Sequence, residues 1–221
     1  MTADHAQQLI RLKADAEVSL YHSVILVHGL MRNSKSLRRL GQFLCRQGFD
    51  VYLYDYQSTR FGIAEHAETL LKHVECLLGE LSTGTSMSFI THSLGGIISR
   101  EVLSRLHSNN NVKIRNLIML APPNQGSTLA KTMTKRLPLV AKRIKPLAEL
   151  STDSNAYVHF VPIPKNIQIV IIAATFDMKT PPASTVIDCK HDFVQVNSTH
   201  TFIMNHPKTR KMIIHYLNQD Q

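Results

Sequence analysis

Three side chains in one chain order could together perform acyl chemistry: Ser93, Asp177 and His200. Ser93 lies in Met87-Ser88-Phe89-Ile90-Thr91-His92-Ser93-Leu94-Gly95-Gly96-Ile97-Ile98, where an apolar run ends, a polar pair follows and two glycines open a segment of helical spacing. The pattern predicts strand, sharp turn and helix, with the serine at the apex. A serine so placed is lifted clear of a sheet, open to substrate on one side and a base on the other. The following helix points its positive end to the spot where an oxyanion would form. Thr91 stands where G-x-S-x-G has its first glycine, which tightens the elbow without forbidding it. The plainer job for Ser93 is to cap a helix.

A serine hydroxyl attacks only if a base takes its proton, and a histidine base works only if its ring is held. His200 sits in the polar loop Asn197-Ser198-Thr199-His200-Thr201, ahead of a final helix. His5, His66, His73, His107 and His215 fall in predicted helices and read as solvated or structural; His191 and His206 are closer rivals. His28 and His92 flank the motifs and would order their loops by hydrogen bonding. Asp177 ends the apolar run Ile169–Phe176, where a sheet would present an acid; Asp188 and Asp192 are the alternatives, and a turn before Pro181-Pro182 is the plainer reading of Asp177. Two backbone amides, of Leu30 and Leu94, are placed to receive an oxyanion, and Gly29 lets the first of them turn inward.

These residues need a scaffold, and hydrophobic periodicity supplies one. Residues 4–17 read as a short helix of mixed polarity. Strands are predicted over 22–29, 49–54, the run into Ser93, 112–121, 167–175 and 193–196. Helices are predicted from Leu37 to Gly48, Ile63 to Leu81, after Ser93 to His107, and Pro207 to Leu217. Alternation of this kind implies α/β architecture, a mostly parallel sheet with helices on both faces. Sites in such sheets lie beyond the carboxyl ends of the strands, where His28-Gly29-Leu30, His92-Ser93, Ala121-Pro122-Pro123-Asn124, Asp177 and His200 would gather.

Val27-His28-Gly29-Leu30, Thr91-His92-Ser93-Leu94-Gly95-Gly96, Leu120-Ala121-Pro122-Pro123-Asn124-Gln125-Gly126-Ser127 and Ser198-Thr199-His200-Thr201 together resemble the α/β-hydrolase superfamily, in its lipase and esterase-like branch of small bacterial lipases. The resemblance covers residue 22 to the end, with the motifs in family order. It implies a three-layer fold with Ser93 as nucleophile, Asp177 as acid, His200 as base and Leu30 and Leu94 as oxyanion donors. No Asp-Gly-x-Val segment, from which many relatives take their acid, precedes His200. The activity implied is serine-dependent cleavage of carboxylic esters through an acyl-enzyme. A thioesterase or acyltransferase on the same residues, or a non-catalytic binding protein of this fold, are the other readings.

The chain of 221 residues reads as one domain over 1–221, interrupted by a cap-like insertion at about 127–150. Within it, Lys131, Lys135, Arg136, Lys142, Arg143 and Lys145 supply +6 against a net charge of +9. Leu129, Met133, Leu137, Val140, Ile144 and Leu147 recur every three or four residues, and Pro138 divides the stretch into two helices. Such a segment is either a solvated cap or a contact for an anionic membrane surface. Nucleic acid is disfavoured, since there is no stacking motif, no recognition helix and no Trp. Three unpaired-looking cysteines, no apolar run of membrane length and no signal-peptide pattern at the N-terminus make cytoplasmic residence the expectation. No metal or cofactor is expected, because no H-E-x-x-H or Cys/His cluster occurs.

Overall fold

The computed structural model describes residues 7–12, 22–106 and 112–219. Seven strands form one sheet: β1 (Gln8–Arg11), β2 (His22–Val27), β3 (Asp50–Asp55), β4 (Thr85–His92), β5 (Val112–Leu120), β6 (Gln168–Ala174) and β7 (Asp192–Val196). Their spatial order is β1-β3-β2-β4-β5-β6-β7, parallel throughout except for β1, which runs antiparallel to β3.

Each inner strand is largely buried on both sides, and its alternate residues feed opposite layers. Ile25 and Val27 of β2, Met87 and Phe89 of β4, and Ile169 and Ile171 of β6 pack with helices α2 (Ile63–Glu80) and α3 (Leu94–Arg105). Val24, Leu26, Ile90, Val170 and Ile172 face the other way, onto α1 (Arg38–Arg46) and the last helix, α8 (Pro207–Leu217). Between β5 and β6 lie α4 (Thr128–Arg136), α5 (Pro138–Arg143) and α6 (Pro146–Glu149), and a short turn α7 (Pro182–Thr185) precedes β7.

The helix expected at residues 4–17 is corrected: residues 8–11 are a strand, and the described remainder of that stretch is not helical. The edge of β3 offers unpaired backbone groups, and Gln8–Arg11 satisfies them in register with Asp55 back to Tyr52. Arg11 fixes the pairing by bonding the buried Asp50 at 2.8 Å. Tertiary pairing has overridden a weak local preference. The segment after Ser127 also differs from expectation. Pro138 does divide it, and Pro146 starts a third short helix. Its apolar spacing is only partly inward: Ile144 and Leu147 are buried, whereas Leu137 is 50% and Leu139 77% exposed.

Several histidines are built into the core. His22, His28 and His66 are buried, and neither ring nitrogen of His66 has a hydrogen-bond partner among the described residues. Burial pushes all three down to about 4, aided at His22 by Arg115 and opposed at His66 by Glu65 and at His28 by its bond to Gly29 and by Asp55. Unfolded, they titrate near 6.5, so between these values the unfolded chain binds more protons. Stability is therefore full above pH 6.5 and is lost as pH falls toward 4, by about 1.4 kcal/mol per unit for each group. Scanning calorimetry should find Tm falling more steeply from pH 6.5 to 5 than from 8 to 6.5, with a shallower fall in His66→Phe. A flat Tm across both intervals would contradict this account.

Candidate active site

The β4–α3 junction turns so tightly that Ser93 adopts φ 53°, ψ −123°, a left-handed backbone that a serine occupies only at a cost of order 1–3 kcal/mol. Ser93 N–H donates to the Leu120 carbonyl at 2.9 Å, anchoring the turn to β5. Three glycines make the turn possible. A Cβ on Gly95 would lie 2.4 Å from the Val27 carbonyl oxygen and 2.6 Å from that of His28, so α3 starts against the backbone of β2. A Cβ on Gly29 would meet Ser93 Cβ at 3.0 Å and His92 Nδ1 at 2.9 Å. A Cβ on Gly96 would stand 3.2 Å from Thr91 Oγ1. Thr91 is thus accommodated because Gly96 has no side chain, which explains how the elbow forms without its usual first glycine.

Asp177 follows β6 and is buried. Its Oδ1 accepts two backbone N–H bonds, from Lys179 and Thr180, each at 2.8 Å. Its Oδ2 accepts from His200 Nδ1–H at 2.6 Å. One oxygen thus makes the turn, and the other holds the histidine. Ser127 Oγ donates to the Lys179 carbonyl at 2.9 Å and holds the same loop against the start of α4. His200 itself is buried and, with Ser93, lines a cavity of about 510 Å³. Leu30, Met31, Leu129, Ala130, Met133, Leu147 and Leu150 make much of its wall apolar. Leu30 and Leu94 sit at the exit of β2 and at the first position of α3, where a helix has no intrahelical acceptor for its amide.

The other candidates are placed differently. Asp192 is exposed at the start of β7 and accepts from Gln168 Nε2 at 3.0 Å. It sits four residues from the Val196 end of that strand, roughly 13 Å at about 3.3 Å per residue, toward the opposite edge of the sheet. Asp188 is exposed on the loop before β7. His191 Nδ1 bonds the Cys189 carbonyl and His206 Nδ1 accepts from Lys208 N–H at the start of α8. His5 and His107 lie outside the described residues. His28 Nδ1 lies 3.0 Å from the Gly29 carbonyl and His92 Nε2 2.9 Å from that of His200, the loop-ordering roles expected.

Two supports escaped the sequence reading. Lys179 and Thr180 act through main-chain amides, for which the only signal is the Asp-x-x-Thr turn before two prolines. Behind the elbow, buried Arg100 of α3 donates to Asn124 Oδ1 at 3.0 Å and to the Val161 carbonyl, and Asn124 Nδ2 donates to the Thr185 carbonyl at 2.6 Å. The Pro-Pro-Asn run after β5 is thereby tied to α3 and α7.

A mostly parallel sheet, flanked by helices and carrying a strained serine between β4 and α3, defines an α/β-hydrolase. The chain belongs to the family described as "Putative serine esterase (DUF676)", which matches residues 18–152. Its fold is shared with the mature lipase BlEst2 of Bacillus licheniformis (12% identity, TM-score 0.70, covering 95% of this chain and 97% of that one). It is shared also with a monoacylglycerol lipase of Paleococcus ferrophilus (18% identity, TM-score 0.65, 96% and 98%). A curated relative, the lysosomal thioesterase PPT2-B of Xenopus laevis, is 28% identical over 138 residues, 60% of this chain and 46% of the relative, so the match spans less than half of that protein.

The elbow makes a direct stability prediction. Gly95→Ala should cost about 3 kcal/mol or more, because the clash is with backbone that cannot rotate away. Gly79→Ala, at an open position on α2, should be neutral or stabilising by about 0.5–1 kcal/mol. Urea denaturation of the two variants checks this, and equal stabilities would contradict the packing described.

Proposed function

We propose that this chain is a serine esterase in which Ser93, His200 and Asp177 act as nucleophile, base and acid. The observation that carries the reading is the 2.6 Å bond from His200 Nδ1–H to Asp177 Oδ2, with the same histidine facing the cavity that Ser93 lines. That bond leaves Nε2 without the ring proton, ready to take the hydroxyl proton as Ser93 Oγ attacks an ester carbonyl. The amides of Leu30 and Leu94 receive the oxyanion. The imidazolium then returns its proton to the leaving alcohol, and water, activated by the same nitrogen, releases the acid and frees Ser93. An apolar wall suits an acyl chain. A thioester could be cleaved by the same steps, and the relationship to a lysosomal thioesterase supports keeping it among the substrates.

A p-nitrophenyl ester series assayed with three variants tests the assignment. Ser93→Ala and Asp177→Asn should each lose on the order of 10⁴ in kcat, and Asp192→Asn less than threefold. A fluorophosphonate should label the wild type and not Ser93→Ala. Activity of Ser93→Ala within tenfold of wild type would overturn the triad, and a damaging Asp192→Asn would move the acid.

Residues 127–150 act, in this reading, as a cap that also touches anionic membrane. Leu137 and Leu139 project into solvent at the α4–α5 junction, between exposed Lys135, Arg136, Lys142 and Arg143. Exposed leucines flanked by cations are what a bilayer surface would accept. Lys131 contributes least, being bonded to Asp153 at 2.8 Å. Each free cation adds about 1 kcal/mol near an anionic surface, and salt screens it. In sedimentation with phosphatidylserine-containing vesicles, changing those four cations to Gln should abolish binding, as should high salt. Equal binding to neutral vesicles would leave the segment a solvated cap. No described helix is long and apolar enough to cross a membrane.

A further inference from the structure

His200 is held at two points, and only one of them is the acid. Asp177 holds its ring at Nδ1. The second hold is on its main chain. His92, the last residue of β4 and the neighbour of Ser93, is 1% exposed and its Nε2 lies 2.9 Å from the His200 carbonyl oxygen. A carbonyl can only accept, so Nε2 of His92 carries the proton and donates it. The two rings also lie against one another, centroids 4.7 Å apart at 54°. His92 Nδ1 then carries the lone pair, and among the described residues nothing donates to it.

We infer that His92 is a positioning residue that fixes the main chain of the base relative to the strand carrying the nucleophile. Ser93 and His200 are 107 residues apart and reach the cavity from β4 and from the loop after β7. The bond from Asp177 sets the orientation of the ring about the β6 loop; it does not set the spacing between that loop and β4. The hydrogen bond from His92 spans this gap, because its donor is one residue from Ser93 and its acceptor belongs to the base itself. Errors of about 1 Å in such spacing can cost about a hundredfold in rate. Gly29 serves the same device, since its missing Cβ leaves room for the His92 ring. Burial and the neighbouring His200 hold the His92 imidazole well below its usual pKa, so it stays an uncharged donor while His200 becomes charged during each turnover.

The inference rests on the triad assignment, and the experiment separates the two. In p-nitrophenyl ester hydrolysis, His92→Leu, which removes the donor, should lower kcat about 10- to 100-fold with KM changed less than threefold. His92→Asn, which keeps a buried amide too short to reach the carbonyl, should behave alike. His92→Gln, whose terminal amide can occupy the Nε2 position, should recover most of the loss. The deciding measurement is a double-mutant cycle: in a His200→Ala background, His92→Leu should change the residual rate less than twofold, because the residue acts only through the base. Near-UV circular dichroism checks that each variant is folded, and Asn against Gln carries the comparison if Leu does not fold. Equal losses in both backgrounds, or a folded His92→Gln as impaired as His92→Asn, would overturn the positioning role. A fully active His200→Ala would instead overturn the triad.

Discussion

The close approach of α3 to the end of β2 is the constraint on which the rest of the site depends. Gly95 lies against two carbonyl oxygens at distances no side chain could tolerate, and Gly29 lies against Ser93 from the other side. Because the helix must begin there, residue 93 has to reverse the chain within one step, and its left-handed backbone follows. The strain is offset by the bond from Ser93 N–H to β5 and by burial of Leu94, Ile97 and Ile98 behind it. One packing contact therefore sets the direction of a strand exit, the exposure of a hydroxyl and the aim of a helix N-terminus.

Much of this was legible in the sequence because it is written in local periodicity and in glycine placement. The runs at 22–27, 85–92, 112–120 and 168–174 are short, rich in β-branched residues and bounded by turn signals, which points to strands of a parallel sheet, and the boundaries differ by a residue or two. The strand at 8–11 was not legible. Gln8-Leu9-Ile10-Arg11 has no distinctive period, and its state is decided by an edge more than forty residues away. Asp177 was legible as a position and not as a choice among three acids. What separates it from Asp188 and Asp192 is depth and partners, which only the folded loop provides. The roles of Lys179 and Thr180 are carried by backbone amides and leave almost no trace in residue type.

Charge placement was legible in part for the same reason. The six cations of residues 131–145 are visible as a run, whereas α1 and α8 carry six more without an acid and come together only through the fold. Both helices pack on one side of the sheet, while α2 on the other side carries Glu65, Glu68, Glu75 and Glu80 against Lys72. The cap packs on the α2 side, where Ala130, Ile144 and Leu147 join its core cluster, so both faces of the sheet carry clustered cations. The pair of exposed leucines at the α4–α5 junction is what sets the cap apart from the other basic helices, α1 and α8.

The buried histidines bear on where such chemistry could operate. Tyr56 stacks on His28 at 4.1 Å, meets His66 edge-on at 4.7 Å and donates to the His28 carbonyl at 2.7 Å. This aromatic cluster lies under the loop that carries Gly29 and Leu30, so protonating His28 or His66 would bear on the loop proposed to supply an oxyanion amide. A chain working at acidic pH would be expected to replace such rings or pair them with carboxylates. Here His28 keeps one bond, from its Nδ1 to the Gly29 carbonyl, and neither nitrogen of His66 has a partner among the described residues, so a proton on either ring would meet no carboxylate bonded to it.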